Sequence, residues 1–380
     1  MNVVIMTPAI TKGDAVSNDV LGMGDLLELE GHQVYYAVRY ETPDVPIVSL
    51  EQVKKILSDK DDLLIYHHSI GCAEAVEVFE QVRCRRIVKY HNVTPPEFFR
   101  SINREIARGC AEGQIQVDRL VGEDVDFWVD SDFNGKDMQI RHPNKEYHVI
   151  TPFNQVDQLM DAEPELKCIH LYDDWLTNIL VVGRIAPNKN IELAIESFAY
   201  YCTHYNRDAR LILIGDLMSN KYCEMILDRI RNLGIAERVI ITGKVSLEQL
   251  KSFYLSAQML LTTSKHEGCC LPLIEAMGLQ IPIVAVPNAA IPGTAGEAGW
   301  FAPDSREEVA RVMHLAMSNA ALREEKLLAG YQRYLQEFTN DAIRNRFFEL
   351  LTPVLQGQDR TIQDRTIQNR TIIAKEDYRF

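Results

Sequence analysis

No stretch of this 380-residue chain reaches the roughly 18 uncharged apolar residues that a membrane-spanning helix needs. None of its eight cysteines falls in a Cys-x-x-Cys pair or a Cys/His pattern, which removes the usual zinc arrangements. Cys269 and Cys270 are adjacent and poorly placed to bridge each other. The other six are isolated, mostly among apolar neighbours, and read as reduced thiols of a cytoplasmic protein serving as small hydrophobes. There is no GxGxxG and no GxxxxGK[ST], so neither phosphate-binding fingerprint is present. The opening MNVVIMTPAI lacks a basic segment and a small-residue cleavage site; it reads as a buried first strand rather than a leader. Basic charge is scarce as well. The net charge is −14, and residues 1–165 hold 16 Lys and Arg against 29 Asp and Glu. Such an acidic half argues against nucleic acid and against broad attraction to anionic lipid. One local basic cluster, Arg83, Arg85, Arg86 and Lys89, reads as a solvated helix end and strand start.

What the chain does have is a repeating alternation. It exceeds the length at which a single core stops growing, so two domains are expected. Short apolar runs at 3–6, 33–38, 63–67, 86–91, 127–130 and 147–150 read as strands, with helical stretches such as 17–31 and 72–82 between them. The pattern recurs, with strands at 178–184, 209–216, 238–244, 259–264 and 281–286 and helices at 191–205, 220–233, 246–256, 271–279 and 305–319. Strand–helix alternation implies parallel sheets, hence an α/β chain of two Rossmann-like doubly wound domains facing a central cleft. The expected division is residues 1–165, then 166–335, with the polar stretch 157–175 as the join. A helix over 336–355 is expected to return to the N-terminal domain. Residues 356–380 hold the repeat DRTIQ-DRTIQ-NRTII and read as a low-complexity tail.

Ligands of such folds bind where strand-end loops meet helix N-termini. The strongest constellation is KHEGCCLPLIEAMGLQIPIVAV (265–286). Glu267 falls on the loop after a buried strand, and Glu275 about a turn into a helix that Pro272 can open. A Glu pair at this spacing is a weak signal alone; its strand–turn–helix setting gives it weight, because the loop presents backbone N–H groups at a positive helix end suited to a diphosphate. Carboxylates there can accept from ribose or sugar hydroxyls. In VVGRIAPNKN (181–190), Arg184 and Lys189 follow a strand ending at Gly183, and two cations beside a helix start can neutralise a leaving diphosphate; as two surface cations they would carry no function. In RIVKYHNVTPPEFF (86–99), His91 ends a strand and is expected to face the cleft, with a neutral imidazole able to bond sugar hydroxyls. His67 and His68 end a neighbouring strand, but no carboxylate or Cys spacing around the three histidines supports a metal. Gly13, in the first strand-to-helix turn, could let backbone approach a phosphate, and Asp130, Ser131 and Asp132 form a further strand-end loop.

These segments resemble glycosyltransferase family 4, retaining enzymes of the GT-B fold. Glu267, Gly268, Pro272, Glu275 and Ala276 resemble its Glu-x7-Glu signature; Gly183, Arg184 and Lys189 its diphosphate loop; YHN (90–92) its N-domain His loop; and SDFN (131–134) and 241–258 further family segments. The resemblance spans residues 1 to 350 or so. It implies that Glu275 holds the donor ribose and that Glu267 contacts the transferred sugar, with backbone N–H groups of Cys269, Cys270 and Leu271 nearby. Arg184 and Lys189 would stabilise the departing diphosphate, His91 would contact the sugar, and main-chain groups of Lys244 and Val245 would read the base. It also implies no metal and no cofactor, the nucleotide-diphosphate sugar being a co-substrate. The acceptor would be a saccharide, a glycan or a lipid-linked sugar, at a cytoplasmic or peripheral inner-membrane location. The stretch His266 to Pro272 leans toward GDP-mannose. Three features depart from the family: the first loop lacks paired glycines, Cys269 and Cys270 replace an aromatic or small residue, and Gly293 stands where Glu is common. A catalytically idle nucleotide-sugar-binding subunit, or a GT-B epimerase or phosphorylase, is the alternative reading.

Overall fold

A computed structural model describes residues 1–11, 13–40 and 45–357. The first sheet comprises β1 (Asn2–Ala9), β2 (Gln33–Tyr40), β3 (Ile47–Val48), β4 (Leu63–His68), β5 (Arg85–Tyr90), β6 (Val125–Val129) and β7 (His148–Val149), all parallel, in the order β3-β2-β1-β4-β5-β6-β7. The second comprises β8 (Thr177–Val182), β9 (Ala209–Ile214), β10 (Val239–Gly243), β11 (Met259–Thr262), β12 (Ile283–Ala285) and β13 (Gly299–Phe301), again parallel, in the order β10-β9-β8-β11-β12-β13. Both are doubly wound sheets with helices on both faces. β3 and β13, of two and three residues, have no counterpart in the sequence reading, being too short to carry a period.

Parallel strands put all their carboxyl ends on one edge. In the first sheet that edge carries the loops after β1, β4, β5 and β6; in the second, those after β8, β10 and β11. Side chains along a strand alternate between faces, and here the alternation separates two packing layers. Val4, Met6, Tyr66 and Val88 belong to one core cluster, Val3, Ile5, Ile65 and Ile87 to the other. The register pairs His67 with Lys89, so both continue the face of Ile65 and Ile87. The helix Ala15–Leu29 covers that face, and its buried stripe holds Asp19, Val20, Met23 and Leu27. The period of two, carried past the apolar part of each strand, thus delivers two polar residues, His67 and Lys89, into the buried layer that also holds Asp19.

The chain crosses between domains earlier than the polar stretch 157–175 suggests. Ile150 and Phe153 pack in the N-terminal core, whereas Val156 and Leu159 already pack in the C-terminal one. Two short helices, Val156–Asp161 and Leu166–Tyr172, occupy the stretch read as a linker; their few apolar residues dock them on the second domain despite a polar composition. The long amphipathic region 320–351 is likewise interrupted. Helix Ala320–Arg333 gives way to a single π-type turn, Tyr334–Phe338, and a new helix, Asn340–Gln356, starts with the Thr339 hydroxyl accepting from the Ala342 N–H. Ile343, Phe347, Leu350, Leu351 and Val354 of that helix are buried in the N-terminal core, where the Phe347 ring meets Trp128 and Phe153 edge-on. Gly357 caps its end, and the repeat of 359–373 lies outside the described residues. No described helix is long and apolar enough to cross a membrane.

Candidate active site

The loops at the two carboxyl edges meet in a cleft. On the C-terminal side, β8 runs into Gly183 and Arg184, and a tight turn, Pro187–Lys189, leads through Asn190 into helix Ile191–His204. β11 runs through Thr263 and Ser264 to Glu267, and helix Leu271–Gly278 begins after Cys270, held in the left-handed region at φ 69°. These two loops bring the sequence candidates together. The Lys189 ammonium lies 2.6 Å from Glu267 Oε1, and the Ser264 hydroxyl donates to the same oxygen at 2.7 Å. Glu267 is 8% exposed. Burial works against the Lys189 ammonium, yet the Glu267 charge, the Cys270 sulfur and the Glu267 hydrogen bond together outweigh it and its pKa moves up. Gly183, Arg184, Lys189, Ser264, Glu267 and Cys270 line one small cavity.

No side chain caps the start of helix Leu271–Gly278, so this positive end is open to a bound anion. Cys269 and Cys270 are buried there and Leu271 half-buried; burial pushes both thiols up, so neither is a ready nucleophile. One turn in, Glu275 Oε2 accepts a 2.7 Å hydrogen bond from the Tyr254 hydroxyl. Burial raises the Glu275 pKa and the Tyr254 bond opposes the rise. Tyr254 sits fully buried on helix Leu247–Leu255. Its partnership with Glu275 was not legible in the sequence, because it joins residues 21 positions apart whose helices the linear pattern does not pair. Lys244 and Val245 follow β10. The Lys244 ammonium reaches across toward the first N-terminal loop, 3.6 Å from where a Cβ on Gly13 would stand. Gly13 has φ 80°, a conformation that favours glycine. Arg184 also faces that loop, 3.8 Å from Asp14, in an exposed pair of small energetic weight.

The N-terminal side differs from the sequence reading in three ways. First, the His91 ring does not face the cleft. It is 8% exposed, with Nδ1 at 3.0 Å from Asp130 Oδ2 and Nε2 at 2.9 Å from His67 Nδ1. The alternation that carries His67 and Lys89 to the inner face carries the His91 ring with them; the His91 carbonyl, instead, faces the Gly268 loop of the other domain. Second, Lys89 is not part of a solvated cluster. It is fully buried, paired with Asp130 and donating to the Ile150 carbonyl at 2.8 Å. Arg85 and Arg86 are half-buried on Asp61 and Asp124, and only Arg83 keeps the exposed position expected. Third, two of the three histidines, His67 and His91, do have a carboxylate beside them, Asp19. His68 points to the opposite face and donates to the Gly113 carbonyl at 2.8 Å, and burial lowers its pKa to about 4. Asp130 turns inward, Asp132 pairs with Lys136, and Ser131 spans the cleft, donating to the Gly268 carbonyl at 2.7 Å.

A second carboxylate completes this interior. Asp19 Oδ1 accepts from the Phe153 N–H at 2.9 Å, while Oδ2 stands 3.7 Å from His67, 3.8 Å from His91 and 3.8 Å from Lys89 without a hydrogen bond. Burial raises Asp19 to about 6, opposed most by the Lys89 charge. For Asp130 the contacts with His91 and Lys89, hydrogen bonds included, together prevail over burial and its pKa falls. The sequence reading passed over Asp19 because it sits mid-helix, where an acid reads as surface.

Two parallel Rossmann-like sheets with their carboxyl edges meeting at such a cleft define the GT-B fold. Residues 172–332 are similar to the family whose model is described as Glycosyl transferases group 1. Among sequence relatives, the alpha-D-kanosaminyltransferase of Streptomyces kanamyceticus is 29% identical over 133 residues, 34% of this chain and 33% of the relative. The serotype-specific mannosyltransferase WbdA of Escherichia coli is 27% identical over 186 residues, 48% of this chain and 22% of the relative. The matches thus span a third or less of these relatives' length. Among solved structures, sucrose-phosphate synthase from Thermosynechococcus elongatus superposes with TM-score 0.75 at 16% identity, covering 94% of this chain and all of the other. Anabaena HepE in complex with UDP and glucose superposes with TM-score 0.69 at 15% identity, covering 93% and 99%.

Proposed function

We propose that the protein is a retaining glycosyltransferase of the family 4 kind, moving a hexose from a nucleotide-diphosphate sugar to a saccharide or glycan acceptor. The observation that carries this reading is one arrangement: Lys189 on Glu267, beside Arg184, at the open N-terminus of the helix that bears Glu275. The helix end and the two cations suit a diphosphate whose charge grows as its bond to the sugar breaks, the kind of stabilisation that needs no metal. Glu267 neutralises Lys189. A bound diphosphate would share that ammonium, leaving Glu267 free to accept from a sugar hydroxyl. Glu275, steadied by Tyr254, would accept from the ribose. Main-chain groups at Lys244 and Val245 would meet the base, with Gly13 opposite. The WbdA relative, a mannosyltransferase by name, favours mannose as the sugar, and the His266–Pro272 stretch leans toward GDP-mannose; the HepE complex with UDP-glucose makes that donor the alternative.

The deciding experiment is a panel of UDP-, GDP- and ADP-sugars, read by melting temperature and by nucleotide release with and without saccharide acceptors. One donor class should raise the melting temperature, since a ligand held only by the folded chain stabilises it, and should be consumed with retention of anomeric configuration in the presence of EDTA. Binding without any turnover would favour an idle nucleotide-sugar-binding subunit; loss of turnover in EDTA would overturn metal independence. Glu275→Ala should weaken donor binding by about 1–3 kcal/mol, the worth of hydrogen bonds to a charged group. Calorimetry checks this, and unchanged affinity would remove Glu275 from the donor site.

A further inference from the structure

The buried layer behind His91 holds five ionisable side chains, Asp19, His67, Lys89, His91 and Asp130, and none of them lines the donor cavity. Five such groups in an interior are costly unless each is partnered, so their arrangement calls for a role. We propose that His67 and Asp130, backed by Lys89 and Asp19, are positioning residues that clamp the His91 ring by a directed chain of hydrogen bonds and so fix the His91 carbonyl at the domain interface. This rests on the glycosyltransferase reading only for its kinetic consequence.

The direction of the chain follows from the partners. A carboxylate only accepts, so His91 Nδ1 carries the proton shared with Asp130 Oδ2. Were His91 Nε2 protonated as well, His67 Nδ1 would have to accept, and the His67 proton would sit on Nε2, which is buried and has no partner. A buried N–H without an acceptor costs the full desolvation of that group. The arrangement that avoids it makes His91 Nε2 the acceptor and His67 Nδ1–H the donor, pointing also toward Asp19 Oδ2. Lys89 holds Asp130 from the other side and anchors it to the Ile150 carbonyl. Both ring nitrogens of His91 are thereby committed.

Asp19, His67 and His91 also place three potential metal donors within 4.8 Å of one another. Two facts favour a proton network over a metal centre. The histidine nitrogens are in direct hydrogen-bond contact at 2.9 Å, and the Lys89 ammonium, 3.8 Å from Asp19 Oδ2, already supplies positive charge.

The test uses the whole chain and two near-isosteric variants. His67→Leu keeps bulk but removes the donor; His67→Gln keeps an amide donor for His91 Nε2. Turnover should fall about a hundredfold in His67→Leu, the usual cost of a displaced group at a reacting centre, with donor KM unchanged, and His67→Gln should restore most of it. Equal activity of the two variants, or a loss carried by donor KM, would overturn the proposal. Nitrogen-15 NMR of the wild-type imidazoles is the independent readout: both rings neutral with the proton on Nδ1 are expected, and a proton on His67 Nε2 or a doubly protonated His91 would overturn it. So would one equivalent of zinc per chain in the purified protein. If no nucleotide sugar is consumed even by the wild type, the glycosyltransferase reading fails, and the network stands or falls on the NMR alone.

Discussion

Lys189→Ala is expected to lower turnover by about two to three orders of magnitude, the cost of deleting one preorganised charge-stabilising donor at a developing anion. The Lys189 ammonium is the cation most deeply set in the donor cavity, one-fifth exposed against three-fifths for Arg184. The less water reaches a charge, the more its field is worth. Its benefit should be largest when the bond to the diphosphate is breaking, so the loss belongs in kcat more than in donor affinity. Part of any affinity loss would have a second origin. Without Lys189, Glu267 keeps only the Ser264 hydroxyl and becomes an unpaired carboxylate facing a diphosphate. Glu267→Gln in the Lys189→Ala background separates the two effects: donor affinity should recover while turnover stays low. Steady-state kinetics and donor titration on the wild type and these two variants check this, and an intact kcat in Lys189→Ala would take the residue out of the mechanism.

Gly268→Ala is the second large effect. A Cβ on Gly268 would stand 2.7 Å from the His91 carbonyl and 3.4 Å from the Asn134 side-chain amide. The obstacle is backbone of the opposite domain, so it cannot swing aside as a side chain would. Gly268 does not occupy a positive φ, so alanine suits its own backbone and the substitution is a clean steric wedge. Neither core is touched, and the melting temperature should not move. The cleft, however, should fail to reach the described closeness, and the Ser131 hydrogen bond to the Gly268 carbonyl should lengthen or break. Turnover should fall about a hundredfold, as expected for a reacting group displaced by about an ångström, and small-angle scattering in the presence of donor should report a more open particle. Full activity would mean that the closed arrangement is not the reacting one.

Much of this site could be read from the chain because its parts lie close in sequence. Glu267 and Glu275 fall on one loop and the helix it opens, and Arg184 and Lys189 on one turn, so strand–turn–helix patterning was enough to place each at the cleft. The contact between Lys189 and Glu267 was within reach of the same reasoning, since β8 and β11 are neighbours and their loops share an edge. What escaped were the pairings through the interior. Whether His91 turns its ring or its carbonyl to the cleft depends on the face its strand presents beyond the last apolar residue. The buried state of Lys89 depends on Asp130, 41 positions away. Charge in a strand reads as solvent exposure unless its partner is known. The domain crossover was placed late for a related reason: polar composition marks a linker, but the few apolar residues of 156–172 decide where it packs.

The chain passes between its two domains twice, once between Phe153 and Val156 and again ahead of helix Asn340–Gln356. The passages are fastened to each other: the Asn340 amide donates to the Asn154 carbonyl at 3.1 Å, and its N–H to Asp157 at 2.9 Å. Two strands of covalent backbone stitched side by side behave like the paired knuckles of a door. They leave the halves free to swing about the line joining them but resist twisting and sliding. Such a joint favours opening of the cleft along a single arc over shear of one domain across the other. A break in either passage alone would leave the halves tethered while releasing the directional control.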